Sequence, residues 1–293
     1  MPWDHYQGIG WFARRTPDPH PTIAFYRDVV GLPGLRGRPN SQMFWAGETT
    51  ILWVSPGGTR PPRYTDRAQA PLIPVFRCHG IQGTIDRLKA AGTIFINDFR
   101  PEPDSRLAYF LDPSGNVTGL QERSRGSSRP QDQEAWRRWD AGATRIPGVP
   151  SLPPDIQSLG WVVLRVTDLE RSKVFYRDVL GFPLVRERAG GAMFDLGETA
   201  LLDIQPGGQP QPPLQDRSQA SNCVIMRVHR LDELAAALLA KGVRFVNPPF
   251  EGSGRLAYFT DPDGILWGMQ ERPPDSPRPE DQESARRWAA RRR

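Results

Sequence analysis

The sequence predicts an α+β fold made by tandem duplication, and three observations predict it. The 293-residue chain repeats itself nearly end to end. Each copy reads as strand-helix-strand-strand-strand, twice over. Thirty-one prolines and 28 glycines break the chain into short elements joined by turns, which excludes long helical bundles.

The repeat is the primary signal. "GWFARRTPDPHPTIAFYRDVVGLPG" (10–34) aligns with "GWVVLRVTDLERSKVFYRDVLGFPL" (160–184), placing Trp11 and Trp161 150 positions apart. At that offset "MFWAGETTILWVSPGG" meets "MFDLGETALLDIQPGG", and "DRAQA" meets "DRSQA". One residue is lost after Gly242, and "RLAYFLDPSGNVTGLQER" (106–123) then meets "RLAYFTDPDGILWGMQER" (255–272). "RPQDQEAWRRW" and "RPEDQESARRW" complete the match.

The second copy shows the elements in order. "WVVLRV" (161–166) is apolar and β-branched, a strand. "DLERSKVFYRDVL" (168–180) opens on an N-cap aspartate and stops before Gly181, a helix. "GAMFDLG" and "TALLDI" flank the Gly197–Glu198 pair as a hairpin. "CVIMRV" (223–228) is a strand. "LDELAAALLAKG" puts Leu231, Leu234 and Leu238 on one helical face. "VRFVN", "RLAYFTD" and "ILWGMQE" are three further strands. "RPQDQEAWRRW" has proline at its start, acids in its first turn and arginines in its last, the polarity of a helix. Because this helix is duplicated, it is expected to pack on its own or its partner domain rather than act as a bare linker.

Composition bounds the function. There is no apolar run of about 18 residues, so no membrane-spanning helix is expected. The start "MPWDHYQGIGWF" lacks the pattern of a signal peptide. Two cysteines at unmatched places, Cys78 and Cys223, give no disulfide framework, and a reducing cytoplasm fits. The formal charge of +5 owes part of its excess to the terminal "SARRWAARRR". Such a tail attracts nucleic acid when free, but reads first as a solvated helix end, and no aromatic RNA-binding signature accompanies it. "GGTRPPRYTDR" lacks the ending of a phosphate loop, and no nucleophile elbow or Cys/His pair is present.

"FYRDVLGF", the Gly-Glu hairpin and "YFTDPDG" resemble the glyoxalase / bleomycin-resistance / extradiol-dioxygenase (vicinal oxygen chelate) superfamily. The resemblance covers both copies. It implies tandem glyoxalase-like domains, each of two βαβββ modules whose curled mixed sheet forms a cup for the ligand. The domains are expected at 1–125 and 158–273, with helix 129–140 and a linker within 126–157 and a basic helix at 274–293. The arrangement would be a monomer with pseudo-twofold domains, or a homodimer. Metal-dependent relatives place ligands in the first, fifth and last strands. Those positions fall here on Trp11 and Trp161, on Ile73 and Cys223, and on Gly119 and Gly268. Divalent cations need several oxygen, imidazole or thiolate donors, and only Cys223 qualifies. The resemblance therefore implies a cup without the family's metal site and with no cofactor.

Strand alternation assigns the cup face. In copy two it holds Trp161, Val163 and Arg165; Cys223, Ile225 and Arg227; Leu266, Gly268 and Gln270. In copy one it holds Trp11, Ala13 and Arg15; Ile73, Val75 and Arg77; Val117, Gly119 and Gln121, with Arg14 falling on the helix side. Gly119 and Gly268 would give an indole or a flat ligand room to lie against the strand. The arginines would hold an acidic group or stack on rings, or else pair with local acids such as Asp195 or Asp203. The expected ligand is a small, flat, partly anionic organic molecule, bound by Trp11, Arg15, Arg77, Gly119, Gln121, Trp161, Arg165, Asp203, Arg227, Gly268 and Gln270. Trp45 and Trp53 in copy one stand against Asp195 and Asp203 in copy two, so the cups differ. Tyr109 and Tyr258 read as core or rim residues, His79 and His229 as loop residues, and Glu122 and Glu271 as facing away. The resemblance implies that the bound molecule is sequestered, as in resistance proteins, or turned over in a metal-independent reaction, and two alternatives stand beside this reading. One is a metal-dependent lyase, isomerase or dioxygenase with displaced ligands such as Glu271, His229 or Cys223. The other is a structural or interaction protein acting through the basic tail.

Overall fold

The structure, a computed structural model, describes residues 2–102 and 105–292, with side chains of 99–102 left aside. Met1, 103–104 and Arg293, which fall in the expected domain and tail spans, lie outside the described residues.

Four βαβββ modules follow one another. The first is β1 (Tyr6–Thr16), α1 (Pro19–Ala24), β2 (Gly34–Arg38), β3 (Ser41–Trp45) and β4 (Ile51–Pro56). The second is β5 (Leu72–Cys78), α2 (Ile81–Ala90), β6 (Ile94–Glu102), β7 (Ser105–Leu111) and β8 (Val117–Arg123), closed by α3 (Pro130–Asp140). The third is β9 (Ile156–Val166), α4 (Leu169–Val174), β10 (Leu184–Arg188), β11 (Gly191–Asp195) and β12 (Leu201–Pro206). The fourth is β13 (Asn222–Val228), α5 (Leu231–Ala240), β14 (Phe245–Gly252), β15 (Gly254–Thr260) and β16 (Leu266–Glu271), closed by α6 (Pro279–Arg291). Asp168 caps α4 by accepting from the Arg171 amide. The "FYRDV" runs expected to complete α1 and α4 are single π turns over Phe25–Val29 and Phe175–Val179.

The modules form two eight-stranded sheets, but not copy by copy. One runs β14-β15-β16-β13-β1-β4-β3-β2, the other β10-β11-β12-β9-β5-β8-β7-β6. The first strand of each copy lies antiparallel to the fifth strand of the other: Trp11 faces Ile225 and Trp161 faces Val75. This corrects the expectation that the first-strand and fifth-strand sets of one copy share a cup. Trp11 and Ala13 share theirs with Cys223 and Ile225, and Trp161 and Val163 share theirs with Ile73 and Val75.

The expected alternation within each strand is the one seen. Phe12, Val162, Leu164, Val166, Val224, Met226, Trp267 and Met269 enter the core between sheets and helices. The opposite residues make two smaller apolar floors on the concave sides. Arg14 does sit on the helix side, wholly buried, and donates to Asp112, Tyr26, Thr118 and the Val117 carbonyl. In the other copy Leu164 and Trp267 replace Arg14 and Thr118, and the Trp267 indole donates to the Tyr176 hydroxyl at 3.1 Å. One buried polar set has thus been exchanged for an apolar one around the same tyrosine.

The two Gly-Glu hairpins meet where the sheets abut. Gly47 and Gly197 adopt φ of 84° and 90°. A Cβ on Gly47 would lie 2.3 Å from the Gln157 carbonyl oxygen, so only glycine lets the hairpin approach β9 this closely. Glu48 and Glu198 then converge on Arg287 and Arg138, one arginine from each closing helix.

Candidate functional site

Each concave face encloses a cavity, about 380 Å³ in the Trp11 cup and about 310 Å³ in the Trp161 cup. Both lie at the small end of the usual range for ligand sites. A larger hollow of about 590 Å³ lies outside the cups against Phe175, Pro210 and Val243. It opens between loops and strand ends, without the paired apolar floor and buried indole of the cups.

Trp11 and Trp161 form the floors they were expected to form, 4% and 5% exposed. Their Nε1–H groups are buried without a hydrogen-bond acceptor. A buried donor left unpaired costs about 1–3 kcal/mol, so each indole offers an unmet hydrogen bond to a bound molecule. Gln121, also lining the Trp161 cup, has an unpartnered buried Oε1. Its counterpart Gln270 does not line the Trp11 cup; it is fully buried, donates to the Ser253 carbonyl at 2.6 Å and likewise leaves its Oε1 unpartnered.

Arg77 and Arg227 reach the cup side but are engaged by the fold. Arg77 donates to Thr199 and lies 3.5 Å from Asp132 at the start of α3. Arg227 donates to Thr49 and, at 3.1 Å, to Asp281 at the start of α6. These pairings correct the expectation of Asp195 and Asp203 as their local acids. They also explain why the closing helix is duplicated: it brings the aspartate that neutralises the fifth-strand arginine. Neither arginine lines its cavity. Arg15 lies over the Trp53 ring at 5.6 Å and donates to the Ala220 carbonyl. Arg165 donates to the Pro206 carbonyl, and burial, with Arg67 nearby, pulls its pKa down.

Gly119 and Gly268 make room for a different ring from the one expected. A Cβ on Gly119 would stand 2.9 Å from Tyr109 Cε1, and one on Gly268 2.8 Å from Tyr258 Cε1. The tyrosines of β7 and β15 occupy the space, and it is they that line the cavities. Burial raises both phenols, that of Tyr258 to about 12, so they stay protonated.

The rims carry arginines that sequence reasoning passed over. Arg67, Arg123, Arg129 and Arg188 line the Trp161 cup; Arg36, Arg38, Arg217 and Arg278 line the Trp11 cup. Arg129 lies over the Trp161 ring at 4.8 Å, and Arg67 over Tyr109 at 5.0 Å. Arg217 lies over Phe250 and Tyr258 at 4.6 and 5.0 Å. The repeated "DR.QA" and "RP.DQ" motifs contained Arg67, Arg217, Arg129 and Arg278. A charged residue kept in both copies of a loop was the available signal.

The residues of the metal-dependent alternative do not gather in the cup. Glu271 accepts from the Arg230 and Leu231 amides and so caps α5, as Glu122 caps α2. His229 packs on Trp288 of α6, 3.9 Å from Glu271 and outside the cup. Cys223 is buried in the cup floor, where desolvation raises its thiol to about 12. Among the described residues no three His, Cys, Asp or Glu side chains converge as a cation would require. The residues present do not fit a divalent metal. The described arginines of the basic tail are tied to their own chain: Arg286 and Arg287 to Glu283, Arg291 to the Gln7 carbonyl, Arg292 to that of Asp4. No helix is long and apolar enough to cross a membrane among the described residues.

A family model described as "Glyoxalase/Bleomycin resistance protein/Dioxygenase superfamily" matches residues 8–120 and 158–269. The curated "Uncharacterized protein YraH" of Bacillus subtilis (strain 168) is 32% identical over 114 residues, 35% of this chain and 89% of its own length. Among solved structures, a "putative dioxygenase" from Bacillus subtilis aligns over 96% of this chain and 90% of its own, with a TM-score of 0.68 at 16% identity. Glyoxalase I from Zea mays aligns over 97% of this chain and 95% of its own, with a TM-score of 0.62 at 18% identity. At these identities the structural likeness concerns the fold.

Proposed function

This chain belongs to the glyoxalase/bleomycin resistance protein/dioxygenase superfamily, and from that premise we propose that it binds a small, flat, partly anionic organic molecule in its cups without a metal. The observation that carries this reading is the pair of buried, unpartnered indole N–H groups, each beneath an arginine-rimmed opening.

The chemistry follows from the parts. The indole and phenol rings supply a flat apolar floor against which an aromatic or conjugated ligand loses its hydration shell. The indole N–H then donates to a carboxylate or carbonyl oxygen at the ligand's buried end. Rim arginines hold the acidic group, because a guanidinium is a planar multiple donor that keeps its charge. Where the family's metal ligands would stand, tryptophan, isoleucine, cysteine and glycine supply shape rather than coordination. The role so described is sequestration of a ligand.

Titration of the protein with a panel of aromatic carboxylates, read by tryptophan fluorescence, tests it. Quenching that is saturable, and reduced in Trp11→Phe and Trp161→Phe variants, is expected. A panel that leaves the emission unchanged overturns the reading.

A further inference from the structure

Resting on that reading, we propose that the two cups have diverged in the charge they accept: the Trp11 cup is a site for a flat dianion, such as an aryl phosphate or aryl dicarboxylate, whereas the Trp161 cup takes a ligand of lower negative charge.

The divergence rests on one exchanged residue. In the Trp161 cup, Asp203 of β12 is buried and accepts from Arg188 of β10 at 2.9 Å. The equivalent residues of the Trp11 cup are Trp53 and Arg38. Trp53 packs edge-on against Trp11, with ring centroids 5.7 Å apart, and Arg38 has no carboxylate partner among the described residues. One acid of the wall has become a second indole, and the arginine it neutralised has been left.

The remaining rim follows the same direction. Arg129 donates to Asp132 at 2.9 Å, but its equivalent Arg278 makes no ion pair among the described residues and holds its Nη1 buried without a partner. Arg217 is fixed over Phe250 and Tyr258 and likewise has no ion pair among the described residues. Among the described residues, Arg36 alone of the four lining arginines makes a direct ion pair, with Glu280. Arg38, Arg217 and Arg278 therefore border one aromatic cavity of about 380 Å³ without a direct carboxylate contact among the described residues, Asp281 and Glu280 acting on Arg278 only at longer range. Like charges held at one opening repel, and a ligand with two negative charges relieves that repulsion more than one with a single charge. A phosphate dianion also supplies three acceptor oxygens, enough for several guanidinium donors at once.

Calorimetric titration of the full chain with 1-naphthol, 1-naphthoate and 1-naphthyl phosphate at pH 8 tests the proposal, since the ring is constant and the charge rises. The naphthyl phosphate is expected to bind the Trp11 cup at least about tenfold more tightly than the naphthoate, as one further charge-assisted bond implies. Arg217→Gln, Arg278→Gln and Trp53→Asp should each remove most of that preference. Asp203→Asn, which frees Arg188, should raise phosphate affinity at the Trp161 cup. Naphthoate binding with no gain for the phosphate, or a gain untouched by the three Trp11-cup variants, overturns the divergence while leaving the binding reading intact. No heat with any probe removes both.

Discussion

Gly268 lies beneath Tyr258: a Cβ there would stand 2.8 Å from the ring and 2.7 Å from Ile225 Cγ1. Glycine is therefore held by packing at a position where metal-dependent relatives need a carboxylate. Gly268→Ala is expected to lower stability by about 1–3 kcal/mol through overpacking. Combined with Tyr258→Ala, its further cost should fall by about 1 kcal/mol or more, a coupling readable in a urea double-mutant cycle. Strict additivity would show that the ring does not set the constraint.

Asp261 accepts hydrogen bonds from Tyr176 and from the Asp263 and Ile265 amides, and among the described residues no arginine pairs with it as Arg14 pairs with Asp112. Burial raises its pKa to about 6. A carboxyl group held protonated in the fold contributes stability below its unfolded pKa and loses it as pH rises through the folded value. Between pH 4 and 6 this amounts to about 3 kcal/mol at most. Asp261→Asn keeps an oxygen for the Asp263 and Ile265 amides and sets its amide nitrogen to donate to the Tyr176 hydroxyl, which no longer donates to it, and it should be more stable than the parent at pH 8, yet similar to it at pH 4. Asp112→Asn should be destabilised at pH 8 by about 3–5 kcal/mol, because it leaves Arg14 buried and alone. Denaturant melts at both pH values decide, and equal behaviour of the two variants would contradict the account.

His79 packs between Trp136 and Trp139 of α3, with centroids 4.1 and 4.4 Å away. Burial, then the charges of Arg77 and Arg125, lower its pKa to about 4. The unfolded chain takes up this proton first, so the contribution to stability is lost as pH falls from about 6.5 toward 4. A proton NMR titration should place the His79 midpoint near 4, and Trp136→Ala with Trp139→Ala should return it toward 6.5. A midpoint of 6.5 in the parent would show that the helix does not cover the ring.

Arg287 reaches Glu48 and Glu198 together, while Arg138 lies 3.1 and 3.6 Å from the same pair. Arg287→Met should cost about 3 kcal/mol, the scale for a buried ion pair broken on one side. Further Glu48→Gln and Glu198→Gln substitutions should recover part of it. No loss in Arg287→Met would mean that this cluster does not join the two sheets.

The repeat, the βαβββ order and the two faces of each strand were legible because apolar alternation is local. Trp11 and Trp161 were found at the cup floor for that reason. The crossing of copies was not legible. "LIPVFRC" and "NCVIMRV" offer β1 equally apolar edges, and the choice between β5 and β13 is made by long-range packing. The charge on β2 and β10, "GLRGR" and "LVRER", left these two mostly exposed edge strands counted in the βαβββ order but without a span of their own. The partners of Arg77 and Arg227 lay more than 50 residues away on helices whose purpose only the assembled sheet reveals.

The most direct measurement is calorimetric titration of 1-naphthoate into protein dialysed against a chelator, repeated with added zinc or manganese and with the Trp11→Phe/Trp161→Phe double variant. The account predicts the same affinity with and without metal and a marked loss in the double variant. Binding that appears only once metal is added, and is indifferent to the indoles, would contradict it.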